Sequence, residues 1–297
     1  MTSTGITNWP APARLTVGIV SAGRVGTTIG QALERADHVV GAVWAGSAAS
    51  RDRARRRLPE SQILQPAEVA ARCELLILAV PDDRLVTVIA ELAASGSVRP
   101  GTIVAHTAGA LGVRVLDPLT DLGALPLALH PAMTFIGSEE DTDRLRTCCF
   151  GITAADDVGL AIGQSLVLEM GAEPVHIRES DRTLYHAAVA HGANHLVALV
   201  SDAAAALRTV LVGQDVSAER ILGPILVAAL DNTLRSGPKA LTGPVMRGDT
   251  AAVARHLAAL SATDEGIAQG YRAMARRAAS YTDPPADMIE LLAGDQS

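Results

Sequence analysis

The hexad Ser21-Ala22-Gly23-Arg24-Val25-Gly26 has glycines at the third and sixth positions, where a G-x-G-x-x-G dinucleotide turn would carry three. In such a turn Gly23 lets the backbone approach a pyrophosphate, and Gly26 lets the following helix pack closely on the preceding strand. The N-terminus of that helix supplies amide donors and a partial positive charge. Ser21 stands in place of the first glycine, so the match is two of three, and a tight turn without a ligand is the competing reading. About twenty residues on, a nicotinamide site declares its preference: an acidic residue for a ribose hydroxyl, or arginine for a 2′-phosphate. The sequence there reads Trp44-Ala45-Gly46-Ser47, then Ser50-Arg51-Asp52-Arg53, with no carboxylate at the tip. Ser47 and Arg51 therefore point to NADP(H) over NAD, unless Arg51 to Arg57 is only a solvated basic helix face.

A second group of residues suits proton transfer. His186 and Asn194 lie eight residues apart, roughly 80° apart around a helix, so both can face one cleft. A histidine can donate a proton to a carbonyl oxygen as hydride arrives, and an amide can orient the same substrate. A histidine simply hydrogen-bonded between domains is the alternative. His106 and His130 are competing donors. Lys239 and Arg247, in or beside the Ala240–Asp249 segment, could hold a substrate carboxylate; alternatively Arg247 pairs with Asp249 or caps a helix. His191 and His195 have helical H-x-x-x-H spacing but lack a third ligand and a base, so no metal is expected.

These residues need elements to position them. Apolar runs at Leu15–Val20, His38–Trp44, Leu75–Val80, Thr102–His106 and Leu127–His130 alternate with helical patterns, the first over Arg24 to Arg35. Their ends lie about 24 to 36 residues apart, near the roughly 30 of a βαβ unit. The spacing predicts a parallel sheet whose carboxyl edge carries Ser21–Gly26, Ala45–Ser47, Val80-Pro81, His106-Thr107 and His130-Pro131, where a doubly wound fold binds its ligand. From about Ser180 the strand runs give way to Ala, Leu and Arg. A helix over Thr183–Leu211, about 43 Å long, is capped by Ser180 or Asp181. Further helices run over Ser217–Leu234, Thr250–Leu260 and Asp264–Ser280, and a short one follows Pro284-Pro285. The expected organisation is a tail (1–13), a Rossmann-type α/β domain (14–178) and an all-α substrate and dimerisation domain (179–297).

Composition narrows the function. The chain has 297 residues, 48% apolar and 19% charged, enough for a sizeable core. A net charge of −7, with two Trp, three Tyr and two Phe, argues against nucleic acid. No apolar run is long enough for a membrane span, and the first thirteen residues do not read as a signal peptide. Cys73, Cys148 and Cys149 form neither a disulfide framework nor a metal spacing, so the cytoplasm is the expected compartment. The C-terminal helices carry more apolar surface than one thin layer can bury, which predicts a homodimer through that domain.

Four segments together carry a family resemblance: His106-Thr107-Ala108-Gly109-Ala110, Leu129-His130-Pro131-Ala132-Met133-Thr134-Phe135, Tyr185-His186-Ala187-Ala188 with Asn194, and Ala240–Asp249. In this order the chain, from about Leu15 to Leu260, resembles bacterial Rossmann-like proteins whose C-terminal part is domain of unknown function 2520. That family is similar in build to ketopantoate reductase, pyrroline-5-carboxylate reductase and 6-phosphogluconate dehydrogenase. The resemblance implies a helical second domain that often dimerises. It also implies NADP(H)-dependent reduction of a small 2-oxo acid, ketopantoate first. Imine reduction of the pyrroline-5-carboxylate type, or a non-catalytic NADP-binding regulator, are the alternatives. Ketopantoate reductases carry a catalytic lysine early on their long helix; His186 holds that place here, and Asn194 matches a downstream substrate-binding asparagine.

Overall fold

The computed structural model describes residues 14–294; the tail expected over residues 1–13 lies outside them. The strands are β1 (Thr16–Val20), β2 (Val39–Trp44), β3 (Gln62–Ile63), β4 (Leu75–Leu78), β5 (Ile103–His106), β6 (Leu125–Pro131), β7 (Cys149–Ala154) and β8 (Glu173–His176). They form one sheet in the order β3-β2-β1-β4-β5-β6-β7-β8. The first six are mutually parallel. Their order is that of a doubly wound dinucleotide fold, reversing direction between β1 and β4. β7 pairs antiparallel with β6, and β8 parallel with β7.

The helices among the strands are α1 (Arg24–Arg35), α2 (Ala48–Arg57), α3 (Pro66–Ala70), α4 (Asp82–Ser95), α5 (Asp117–Thr120), α6 (Glu140–Leu145) and α7 (Asp157–Glu169). After a 3₁₀ turn at Glu179–Asp181 come α8 (Arg182–Val210), α9 (Ala218–Ser236), α10 (Thr250–Thr263), α11 (Glu265–Ala279) and α12 (Ala286–Ala293). The fold is therefore α/β, a Rossmann-type sheet followed by an all-helical region. Two compact units divide the chain, Met1–Ala190 and His191–Ser297. Among the described residues no helix is long and apolar enough to cross a membrane.

Alternation along each strand builds two core layers, because successive side chains point to opposite faces. Ile19, Leu75 and Ile77 pack with Ile29, Leu33, Phe150 and Leu166. Val20, Leu76 and Leu78 pack with Leu85, Ile89 and Leu92 on the other face. Every residue of β4 is buried, as expected for a central parallel strand covered on both sides. In the second unit a smaller core joins Val253 and Leu257 of α10, Ala275 and Ala279 of α11, and Met288 and Leu292 of α12.

Three expectations need correction. The strand begun at Leu75 stops at Leu78, leaving Val80 buried in the connection to α4 and Pro81 at that helix's N-cap. Neither Ser180 nor Asp181 caps α8; the Asp181 carboxylate accepts from Arg178 Nε at 2.6 Å and Ser180 Oγ at 3.0 Å. The helix instead runs on from the 3₁₀ turn. Finally, β3, β7 and β8 had no counterpart in the sequence reading. β3 is two residues long, and β8 is a largely exposed edge strand. By contrast Ser217, Asp249 and Asp264 each cap the following helix through a side-chain oxygen.

One contact sets how closely α1 approaches β1. A Cβ built on Gly26 would stand 2.2 Å from the Ser21 carbonyl oxygen, 3.0 Å from Ile19 Cγ2 and 3.2 Å from Ala79 Cβ. Backbone cannot swing aside as a flexible side chain can, so only hydrogen fits. We expect Gly26→Ala to lower the free energy of unfolding in urea by about 1–3 kcal/mol through overpacking. A Cβ on Gly23 meets only Ser21 Oγ, at 3.4 Å, so Gly23→Ala should unfold like the parent chain.

Candidate active site

The turn after β1 keeps a glycine-like backbone without the first glycine. Ser21 has φ +86°, and its amide and that of buried Ala22 donate to the Trp44 carbonyl at 3.2 and 2.8 Å. A non-glycine residue held at positive φ costs of order 1–3 kcal/mol and persists only where its surroundings fix it. Here the end of β2 does so. Gly23 is the N-cap of α1, and no side chain caps that helix. Arg24 is exposed and Val25 half-buried. The amides of the first turn thus face outward over a glycine with room beside it, an arrangement suited to a phosphate.

At the tip of β2, Ser47 caps α2: its Oγ accepts from the Ser50 amide at 3.1 Å. Arg51 is half-buried, with Nη1 3.5 and 3.4 Å from the carbonyl oxygens of Ala45 and Gly46. The basic run is not one solvated face. Arg57 is buried, bonding Gln31 Oε1 at 2.9 and 2.6 Å, Thr28 Oγ1 at 3.2 Å and Thr142 Oγ1 at 2.6 Å. That burial pushes its pKa down.

The loop after β5 is pinned from three sides. His106 is fully buried. Its Nδ1 accepts from the Ala108 amide at 3.2 Å, which puts the proton on Nε2, the donor to the Gly112 carbonyl at 2.8 Å. Both ring nitrogens are thereby occupied in folding the loop, and only the neighbouring Thr107, half-buried, remains open at this strand end. Glu179 accepts from the amides of Val113 at 2.8 Å and Arg114 at 3.3 Å. Arg182, 1% exposed, donates from Nε to the Leu111 carbonyl at 2.8 Å, from Nη2 to Ala108 at 2.9 Å and from Nη1 to Gly151 at 3.0 Å. Its guanidinium also lies 5.7 Å from the centroid of the Tyr185 ring.

Above this loop three aromatic side chains converge. His130, at the end of β6, has Nδ1 2.9 Å from Tyr185 Oη. Its ring meets those of Tyr185 and His186 edge-on, each at 5.5 Å between centroids. A Cβ on Gly109 would fall 2.3 Å from His186 Cδ2 and 2.9 Å from His130 Nε2. The two imidazoles therefore close over the bare backbone of the loop. Burial, then the charge of Arg182, holds His130 down to about 4; burial does the same for His106, also about 4. Burial raises the phenol of Tyr185. His106, His130 and Tyr185 are thus uncharged at neutral pH beside one buried cation, Arg182.

His106, Thr107, His130 and His186 thus come together in the first unit, at the same carboxyl edge of the parallel strands as the Ser21–Gly26 turn. Asn194, Lys239 and Arg247 lie in the second unit and are exposed, Asn194 on α8 and Lys239 in the 3₁₀ turn Gly237–Ala240. Asp249, not Arg247, caps α10. Among the described residues no three His, Cys, Asp or Glu side chains are grouped to hold a metal. Sequence reasoning passed over Arg182, Tyr185 and Glu179 as functional residues. For Arg182 and Tyr185 the signal was available in the R-x-x-Y-H spacing, which sets them and His186 on one face of the first turn of α8.

Residues 1–131 match the family model of a Rossmann-like domain, and residues 148–278 that of a domain of unknown function, DUF2520. No curated protein matches the sequence. Among solved structures, a Bacteroides fragilis protein with the provisional name of NADP oxidoreductase is 19% identical, with a TM-score of 0.76 over 90% of this chain and 98% of its own. An imine reductase from Pseudomonas sp. is 15% identical, TM-score 0.62, over 95% of this chain and 100% of its own. A Plasmodium falciparum pyrroline carboxylate reductase with NADP bound is 11% identical, TM-score 0.55, over 90% and 98%. At these identities the likeness is one of fold.

The two depressed histidines have a consequence for stability. Between 6.5 and about 4 the unfolded chain takes up protons that the folded chain refuses, so stability rises with pH across that window and is lost as pH falls through it. Each histidine accounts for about 3 kcal/mol of this loss, at roughly 1.4 kcal/mol for each pH unit of pKa difference. Urea unfolding from pH 7 to pH 4 should show the decline, and His130→Asn should remove about half of its slope.

Proposed function

For a chain that joins a Rossmann-like domain to a DUF2520 domain, we propose an NADP(H)-dependent reductase of a small 2-oxo acid, ketopantoate first. The observation that carries this reading is the placing of a phosphate-suited turn and a histidine cluster on one edge of one parallel sheet. When bound, NADPH supplies a hydride. The backbone of Ser21–Val25 and Gly26 would hold its pyrophosphate at the N-terminus of α1. Ser47 and Arg51 would meet the 2′-phosphate, and Val80 and Pro81, after β4, with His106 and Thr107, at the end of β5, would flank the dinucleotide. His186, whose ring nitrogens bond no described residue, delivers a proton to the substrate oxygen. Asn194 orients the substrate, while Lys239 and Arg247 take its carboxylate. The enzyme is assigned to the cytosol.

A specific observation favours a second substrate class. His130 and Tyr185 are neutral, and an imine reduced as its iminium needs no strong acid beside it. Solved structures similar to this chain include the imine reductase and pyrroline carboxylate reductase already described, and an Aspergillus terreus reductive aminase in complex with NADPH. A cofactor-binding protein without turnover is the third outcome. Cofactor absorbance, followed with ketopantoate and with pyrroline-5-carboxylate, separates the three. With the true substrate, His186→Ala should lower turnover by ~10²–10⁴ while leaving NADPH affinity unchanged. Arg51→Ala should weaken NADPH more than NADH.

The working form is assigned as a homodimer through the helical region. Of the 19 residues of α9 only Ala218 is buried. Ile221, Ile225, Val227, Leu230 and Leu234 stand exposed along it, with Leu196, Val197 and Leu199 on α8. Apolar surface of this extent marks an interface, and light scattering at micromolar concentration should give twice the 30.7 kDa chain mass. A monomer would contradict the assignment.

A further inference from the structure

We propose that Tyr185 is a positioning residue that fixes His130 as a neutral donor, its single proton on Nε2 beside Gly109, so that His130 polarises the bond being reduced. The reduced bond comes from the reductase reading; the tautomer does not depend on it.

A neutral imidazole has one N–H and one acceptor nitrogen, and which is which follows from the partner of either. Tyr185 keeps its proton, since burial raises its pKa. Among the described residues the acceptor at hydrogen-bond distance from its Oη is His130 Nδ1, at 2.9 Å. The phenol therefore donates, Nδ1 accepts, and the imidazole proton resides on Nε2. Protonating Nδ1 as well would force this bond to reverse, with the phenol oxygen accepting, and would place a second positive charge near Arg182. The groups facing His130 are Arg182, Tyr185 and His186 from α8 and His106 from the end of β5. None is a carboxylate that would favour an imidazolium.

Nε2 itself bonds no described residue, and it borders the same space beside Gly109 as the His186 ring. An oxygen or nitrogen of substrate arriving there would accept its hydrogen bond. A bound NADPH would supply hydride to the substrate carbon, with the π electron pair going to the heteroatom, and a donor aimed at that developing charge would lower the barrier. His130 keeps its proton throughout. The heteroatom takes its proton from His186, which is reprotonated from solvent.

Long-range proton–nitrogen NMR of the uniformly ¹⁵N-labelled full chain reads the tautomer directly, with His130→Asn assigning the signal. The free protein should show the neutral Nε2–H pattern for His130 throughout the pH range in which the chain stays folded. In Tyr185→Phe that pattern should give way to a tautomer mixture, with a raised titration midpoint. His186→Ala should leave it in place. An Nδ1–H pattern in the parent chain, or the same pattern with and without the Tyr185 hydroxyl, would overturn the proposal. With a substrate that turns over, Tyr185→Phe should lower kcat at least tenfold at unchanged KM for NADPH. A loss of kcat with the tautomer intact would also overturn it, because the phenol would then act directly. No turnover by the parent chain would count against the reductase reading alone, since the tautomer is read without substrate.

Discussion

The guanidinium of Arg182 lies among carbonyl oxygens, and among the described residues no carboxylate is paired to it. Removing a cation from water costs several kcal/mol, which three charge-assisted hydrogen bonds offset only if their geometry is held. The carbonyls come from Ala108 and Leu111 in the loop after β5 and from Gly151 in β7. One side chain therefore ties the start of α8 to the loop after β5 and to β7. The same unneutralised charge helps to keep His130 and His106 neutral. Position and protonation state at this edge thus share a single cause. Glu179, three residues earlier, completes the arrangement by capping the amides of Val113 and Arg114. Cation and anion each bind backbone, and the loop between them is fixed through both its carbonyls and its amides.

The turn after β1 makes a complementary point about backbone and side chain. A search for three glycines finds two, yet Ser21 adopts the left-handed φ for which glycine is usually selected. The amides of Ser21 and Ala22 converge on one carbonyl at the end of β2. The neighbouring strand therefore supplies the fixing that the residue type does not. Gly26 is different in kind, because its hydrogen is required by distance to the Ser21 carbonyl oxygen.

Much of the fold was legible because its signals are local. α1 was placed from Arg24 to Arg35 as observed, and α8 within one residue at each end, since periodicity and composition change sharply there. β7 and β8 were not legible. They follow a conventional parallel domain, reverse direction, and draw on Cys149 and a proline-containing edge. The histidines of the candidate site were singled out individually, but their roles were not separable. Whether a ring nitrogen is occupied depends on contacts such as His106 with Gly112 or His130 with Tyr185, six and 55 residues apart. For Arg182 the R-x-x-Y-H spacing shows a shared face with Tyr185 and His186, but only the packing shows the guanidinium buried.

Gly109 leads to a last consequence, which concerns how such a chain can vary. The His186 and His130 rings occupy the volume that any side chain at position 109 would need, while Arg182 holds the carbonyl of the preceding residue. A substitution at 109 would evict an imidazole, and the loop cannot retreat while Arg182 and Glu179 hold it. Position 109 is thus coupled to residues seventy or more positions later. Gly109, Glu179, Arg182 and His186 are thus tied together by packing and hydrogen bonds, and a side chain at 109 requires its neighbours to be repacked.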